Sequence, residues 1–119
     1  MKIAIRARDV GWNEKLRQQI ERSIEFAIDR HKSRIDRISV YLSDLNGPRG
    51  GPDKLCQITA DIRGARPVLI LERGNDLPAV VNRAARRLGY RVGRHTHRQR
   101  ILRQRGNRTT VRAAQAVLH

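Results

Sequence analysis

The chain has 119 residues and carries 26 lysines and arginines against 11 aspartates and glutamates, a formal net charge of +15. That length suits one domain with one core, and a single cysteine, Cys56, excludes an internal disulfide framework or a multi-cysteine zinc site. No apolar run approaches the ~18–20 residues of a bilayer span and no secretory pattern opens the chain, so a soluble, cytoplasmic protein without a membrane partner is expected.

Lys2 to Arg8 alternates, with Ile3, Ile5 and Ala7 on one side and Lys2, Arg6 and Arg8 on the other, which predicts a half-buried strand with a basic outer face. The period then changes. Leu16, Ile20, Ile24, Ala27 and Ile28 fall on one stripe of a helix from about Asn13 to His31, with Asn13 as N-cap and Glu14 favoured by the helix dipole. Arg37 to Asp44 and Lys54 to Arg63 alternate again, separated by a Gly/Pro-dense loop over 45–53. Gly64 to Pro67 reads as a turn and Val68 to Arg73 as a short strand. Consecutive strands with short links predict an antiparallel meander.

A second helix opens at Asn75-Asp76-Leu77-Pro78, where a first-turn proline is tolerated. Its apolar stripe is Leu77, Val81, Ala84, Ala85, Leu88, Val92 and His95. Gly89 and Gly93 sit inside it at ~1 kcal/mol each against alanine, serving either a bend or a close backbone approach. The helix is expected to fray between Arg98 and Arg105. The order β-α-β-β-β-α predicts an α+β fold, two helices packed on one face of a four-stranded, mostly antiparallel sheet. The expected division is a domain over 1–103 and a flexible Arg-rich tail over 104–119.

Catalytic chemistry finds little support. His95 and His97 are two apart and face different sides of a helix, a poor chelate, so no metal is expected. Cys56 lies on the buried strand face as an apolar filler. No paired carboxylates, phosphate-binding loop or dinucleotide fingerprint appears, so neither an enzyme, a cofactor nor a small-molecule substrate is expected.

The arginines carry the signal. Residues 77–119 hold 11 arginines and no acid, whereas residues 1–76 hold 15 basic and all 11 acidic residues, a net of only +4. Arg83, Arg87, Arg91, Arg94 and Arg98 recur at spacings of three and four along one side of the second helix, and Arg86 widens the band. No acid on the helix after Asp76 offsets their repulsion, which points to an external polyanion, with nucleic acid ahead of an acidic protein or membrane. Lys2, Arg6 and Arg8 extend that surface. Aromatics are scarce. Trp12 is expected to staple the first helix, Phe26 to be packed beside its stripe, and Tyr41 to be exposed on the sheet. With no stacking platform, folded, backbone-rich RNA is the expected ligand rather than unstructured single strands.

Several stretches resemble the bacterial ribosome hibernation-promoting factor family, which includes the ribosome-associated translation inhibitors. They are Ile3-Ala4-Ile5-Arg6-Ala7-Arg8-Asp9-Val10, Leu16 and Ile20, Ile35-Asp36-Arg37-Ile38-Ser39-Val40, Asp76-Leu77-Pro78-Ala79-Val80-Val81-Asn82, Leu88 and the basic run Arg91 to Arg98. The resemblance covers about residues 1–103 and implies a fold like that of double-stranded RNA-binding domains. It further implies binding to the small ribosomal subunit in the channel used by messenger and transfer RNA, silencing translation without catalysis. The RNA-binding residues it implies are Arg8, Arg87, Arg91, Arg94, His95 and Arg98; Arg83 and Arg86 are added on charge alone. A short form is expected, without the dimerisation domain of long members and monomeric off the ribosome. The alternative is a general RNA- or DNA-binding protein with no ribosome specificity.

Overall fold

In the computed structural model, residues 2–44, 54–95 and 97 are described; the 45–53 loop, Arg98 and the 104–119 tail lie outside them. The elements are β1 (Lys2–Arg8), α1 (Glu14–Ile28) running into a 3-10 turn (Asp29–Arg34), β2 (Ile35–Asp44), β3 (Lys54–Ile62) and β4 (Val68–Gly74). They are followed by α2, helical over residues 77–95. The sheet order is β1-β2-β3-β4, with β1 parallel to β2 and the other two pairs antiparallel. This is the two-helix, four-strand α+β architecture that the sequence implies.

Burial follows the two periods. Ile38, Val40 and Leu42 of β2, Cys56, Ile58, Ala60 and Ile62 of β3, and Val68 and Ile70 of β4 point to one side, where Ile20, Ile24 and Ile28 of α1 and Val81, Ala84, Leu88 and Val92 of α2 meet them in one cluster. Ile35 begins β2 two residues before the alternation suggests. A bulge between Ile35 and Arg37 lets both Ile35 and Ile38 turn inward although they are three apart. The other side of the sheet is open, with rows such as Arg6, Tyr41, Gln57 and Leu71 in register across it.

The helix starts are satisfied locally. Asn13 is extended (φ −150°, ψ 170°), and its Oδ1 accepts from Leu16 N–H at 2.8 Å. Arg17 pairs with both Glu14 and Glu21, about one helical turn before it and one after. At α2 the Asp76 carbonyl accepts from Val80 N–H at 3.0 Å. Chain reversal after β3 uses Gly64 at φ 73°, a conformation that costs glycine least.

The two helices run side by side in the same direction, because contacts advance together along both. The Ser23 hydroxyl donates to Asn82 Oδ1 at 2.9 Å, Ala27 meets Gly89, and His31 meets Gly93. Gly89 therefore serves close approach rather than a bend.

One expectation about the aromatics is corrected. Phe26 is not packed but 88% exposed, since at 100° per residue it lies nearly opposite the buried Ile24. Trp12, just before the N-cap Asn13, is 44% exposed. Tyr41 is half-buried on the open face of the sheet.

Candidate nucleic-acid interface

The arginine row of α2 lies along the free edge of β4. Arg83 Nη2 donates to the Arg73 carbonyl at 2.8 Å, and Arg87 Nη1 to the Leu71 carbonyl at 3.0 Å. The match is metric: four helical residues rise about 6 Å and two strand residues about 6.6–6.8 Å. A spacing of four on α2 thus stays in step with a spacing of two on β4. These guanidinium groups cap carbonyls that an edge strand otherwise leaves open to another chain.

Glu72 locks the same contact. It shares the parity of Val68 and Ile70, so it points toward the helices, and its side chain is only 18% exposed. Its carboxylate lies 2.6 Å from Arg87 Nη1 and 3.8 Å from Arg83 Nε. The expectation that no acid offsets the stripe is thereby corrected: the neutralising charge comes from β4 rather than from the helix itself. The alternation of β4 carried that signal, because a carboxylate in line with two core residues needs a cation on the helix above it.

The ladder stops one rung later. Among the described residues no hydrogen bond or ion pair engages Arg91, which is exposed. Arg91 lies with Arg94, His95 and Val68 around a depression of about 420 Å³. Arg94 is also exposed and rests over the Tyr90 ring, 5.8 Å from its centroid, a cation–π geometry. His95 is half-buried, and its Nε2 is buried without a hydrogen-bond partner, whereas His97 is exposed.

The sequence-derived candidates thus fall into separate groups. Arg83 and Arg87 are tied to β4. Arg91, Arg94 and His95 surround one depression. Arg86 is on the opposite flank of α2, lining a groove shared with α1. Arg8, at the end of β1 and 3.8 Å from Asp9, belongs to the opposite edge of the sheet from β4, so it does not join the α2 row. Cys56 is fully buried, with its thiol pushed up to about 12 by burial and then by the nearby Glu72 charge; it is unsuited to nucleophilic chemistry. Among the described residues, no three of His, Cys, Asp or Glu converge as metal ligands.

Comparison with known proteins agrees with this architecture. No curated protein matches the chain. Among solved structures, a ribosomal subunit interface protein from Coxiella burnetii superposes with a TM-score of 0.70 at 14% identity, covering 82% of this chain and 99% of that one, a likeness of fold. The N-terminal domain of Thermus thermophilus Protein Y superposes with a TM-score of 0.64 at 26% identity, covering 79% of this chain and 94% of that one. The family model described as Sigma 54 modulation protein / S30EA ribosomal protein matches residues 3–100. With that match covering most of the chain, the chain belongs to the Sigma 54 modulation protein / S30EA ribosomal protein family, in keeping with its resemblance to the hibernation-promoting factors.

Proposed function

We propose that this protein binds the small ribosomal subunit through ribosomal RNA and silences translation by occupying the channel of messenger and transfer RNA. The observation that carries the reading is the unspent half of the arginine row. Arg91 and Arg94 stand exposed beside His95, with no carboxylate among the described residues to neutralise them. Guanidinium groups in that state suit phosphate oxygens, which they can bind bidentately. Family membership and the subunit-interface name of the Coxiella burnetii structure support the ribosome as the source of that phosphate. Occupancy alone accounts for inhibition, so no catalytic group is required. The protein acts in the cytoplasm as a monomer, through the 1–103 domain.

Sucrose-gradient sedimentation with purified subunits tests this. The full chain should travel with the small subunit and inhibit cell-free translation, and Arg91→Glu with Arg94→Glu should abolish both. Equal affinity for any duplex, with no subunit preference and a salt slope of roughly 0.7–0.9 per phosphate contact, would instead identify a general nucleic-acid binder.

A further inference from the structure

Phe26 is the most exposed large apolar side chain among the described residues, at 88%, and its setting is basic. It borders a groove of about 330 Å³ between α1 and α2, lined by Ser23, Phe26, Ala27, Asn82, Ala85 and Arg86. Ala27 and Ala85 are its small apolar members, and Phe26 and Arg86 its large ones. The Ser23 hydroxyl donates to Asn82 Oδ1 at 2.9 Å, so that bond spends neither N–H of the Asn82 amide.

Charge is sorted around this groove. Lys15 and Arg22 share the side of α1 that carries Phe26, eleven and four residues before it. Glu14, Glu21 and Glu25 repeat with the same spacings one residue earlier, and 100° of helical rotation carries them to the side away from α2. Glu14 and Glu21 are also held by Arg17. On α2, Tyr90 follows Arg86 by one turn, is 67% exposed and carries Arg94 over its ring. An exposed ring rimmed by guanidinium groups, with the acids turned away, suits a flat, anion-bearing ligand better than an apolar protein surface.

We infer that the groove between α1 and α2 takes one unpaired nucleobase of RNA, stacked on Phe26, with Arg86 on its phosphate and the Asn82 amide on its edge. This rests on the RNA-binding reading above and deepens it. A base inside a duplex cannot reach the ring, so the ligand is folded RNA with a bulged or looped-out nucleotide. Helix pairing then sets the position of the base, since the Ala27–Gly89 contact fixes the separation of the walls.

The test uses the full chain and two RNA hairpins, one fully paired and one identical except for a single bulged 2-aminopurine. The wild-type protein should prefer the bulged hairpin and quench its fluorescence. Phe26→Ala should lose the quench and weaken bulged-hairpin binding by roughly 5- to 100-fold, with paired-hairpin affinity unchanged. Phe26→Trp should restore both. Because the side chain is exposed, the variant keeps the core. Equal binding of both hairpins by wild type and Phe26→Ala overturns the inference and leaves the RNA-binding reading standing. Loss of self-association in Phe26→Ala with no change on RNA overturns it in favour of a protein contact. Failure of the wild type to bind either hairpin or the small subunit overturns both readings.

Discussion

A Cβ placed on Gly89 would sit 2.5 Å from the carbonyl oxygen of Ala27, so the two helices touch there backbone to backbone. Gly89→Ala sets a helix-propensity gain of ~1 kcal/mol against a clash with atoms that cannot rotate away. The clash wins, and a net loss of about 1–3 kcal/mol is expected in denaturant unfolding. Gly93→Ala is the internal control. Its Cβ would lie 3.4 Å from His31 Nε2, an ordinary contact with a side chain, so a change between zero and a gain of ~1 kcal/mol is expected. Equal losses at both positions would mean that the helices are not held apart by this contact.

The reasons why some features were legible in the sequence and others were not are local. Leu16, Ile20, Ile24 and Ile28 recur every four residues and all are buried, as a stripe against a sheet demands. The alternation of Cys56, Ile58, Ala60 and Ile62 gave β3 and its face in the same way. The start of β2 was obscured because a bulge breaks period two between Ile35 and Arg37. The candidate site was half legible. Helical spacing grouped the arginines, but their division depends on which of them lie beside Glu72, a residue distant in sequence until β4 is laid under α2. The exposure of Phe26 was readable from its angle to Ile24, although the general preference of aromatics for the core argued the other way.

Glu72→Gln should both destabilise the protein and make it a stronger polyanion binder. The nearly buried carboxylate holds Arg87 at 2.6 Å and Arg83 at 3.8 Å, and losing a charge-assisted bond of this kind costs about 1–3 kcal/mol. The two freed guanidinium groups then become available to phosphate. The slope of log affinity against log salt should steepen by up to ~0.7–0.9 for each of them. Thermal unfolding and RNA binding at several salt concentrations check the two halves separately. Lower stability with an unchanged slope would mean that Arg83 and Arg87 stay on the strand edge without Glu72.

Cys56 should make the fold sensitive to alkali. Its thiol is raised from 9.0 to about 12 by burial, then by Glu72, so the native state keeps a proton that the unfolded chain gives up. Stability from this group is complete below pH 9 and is lost as pH rises toward 12, at roughly 1 kcal/mol per pH unit. Cys56→Ala should be less stable at neutral pH, because it leaves a small cavity, but should show a flatter decline above pH 9. The native thiol should also resist alkylation at pH 8 until denaturant is added. Rapid labelling under native conditions would contradict its burial on the helix-facing side of β3.

Arg87 and Arg91 should behave as different kinds of residue although they are one helical turn apart. Arg87 caps the Leu71 carbonyl and meets Glu72, so Arg87→Ala leaves a nearly buried carboxylate with only the longer Arg83 contact. A loss of about 1–2 kcal/mol in stability is expected, with a small effect on RNA affinity. Arg91 has no such partner among the described residues, so Arg91→Ala should change stability by less than ~0.5 kcal/mol. It should instead lower RNA affinity severalfold and reduce the salt slope by about 1. Alanine is the right replacement here. A glutamate at 87 would face Glu72 and unfold the clamp, so a joint charge reversal at 87 and 91 would confuse lost binding with lost structure. If Arg87→Ala and Arg91→Ala move stability and salt slope alike, the row is a single surface and the strand edge does not divide it.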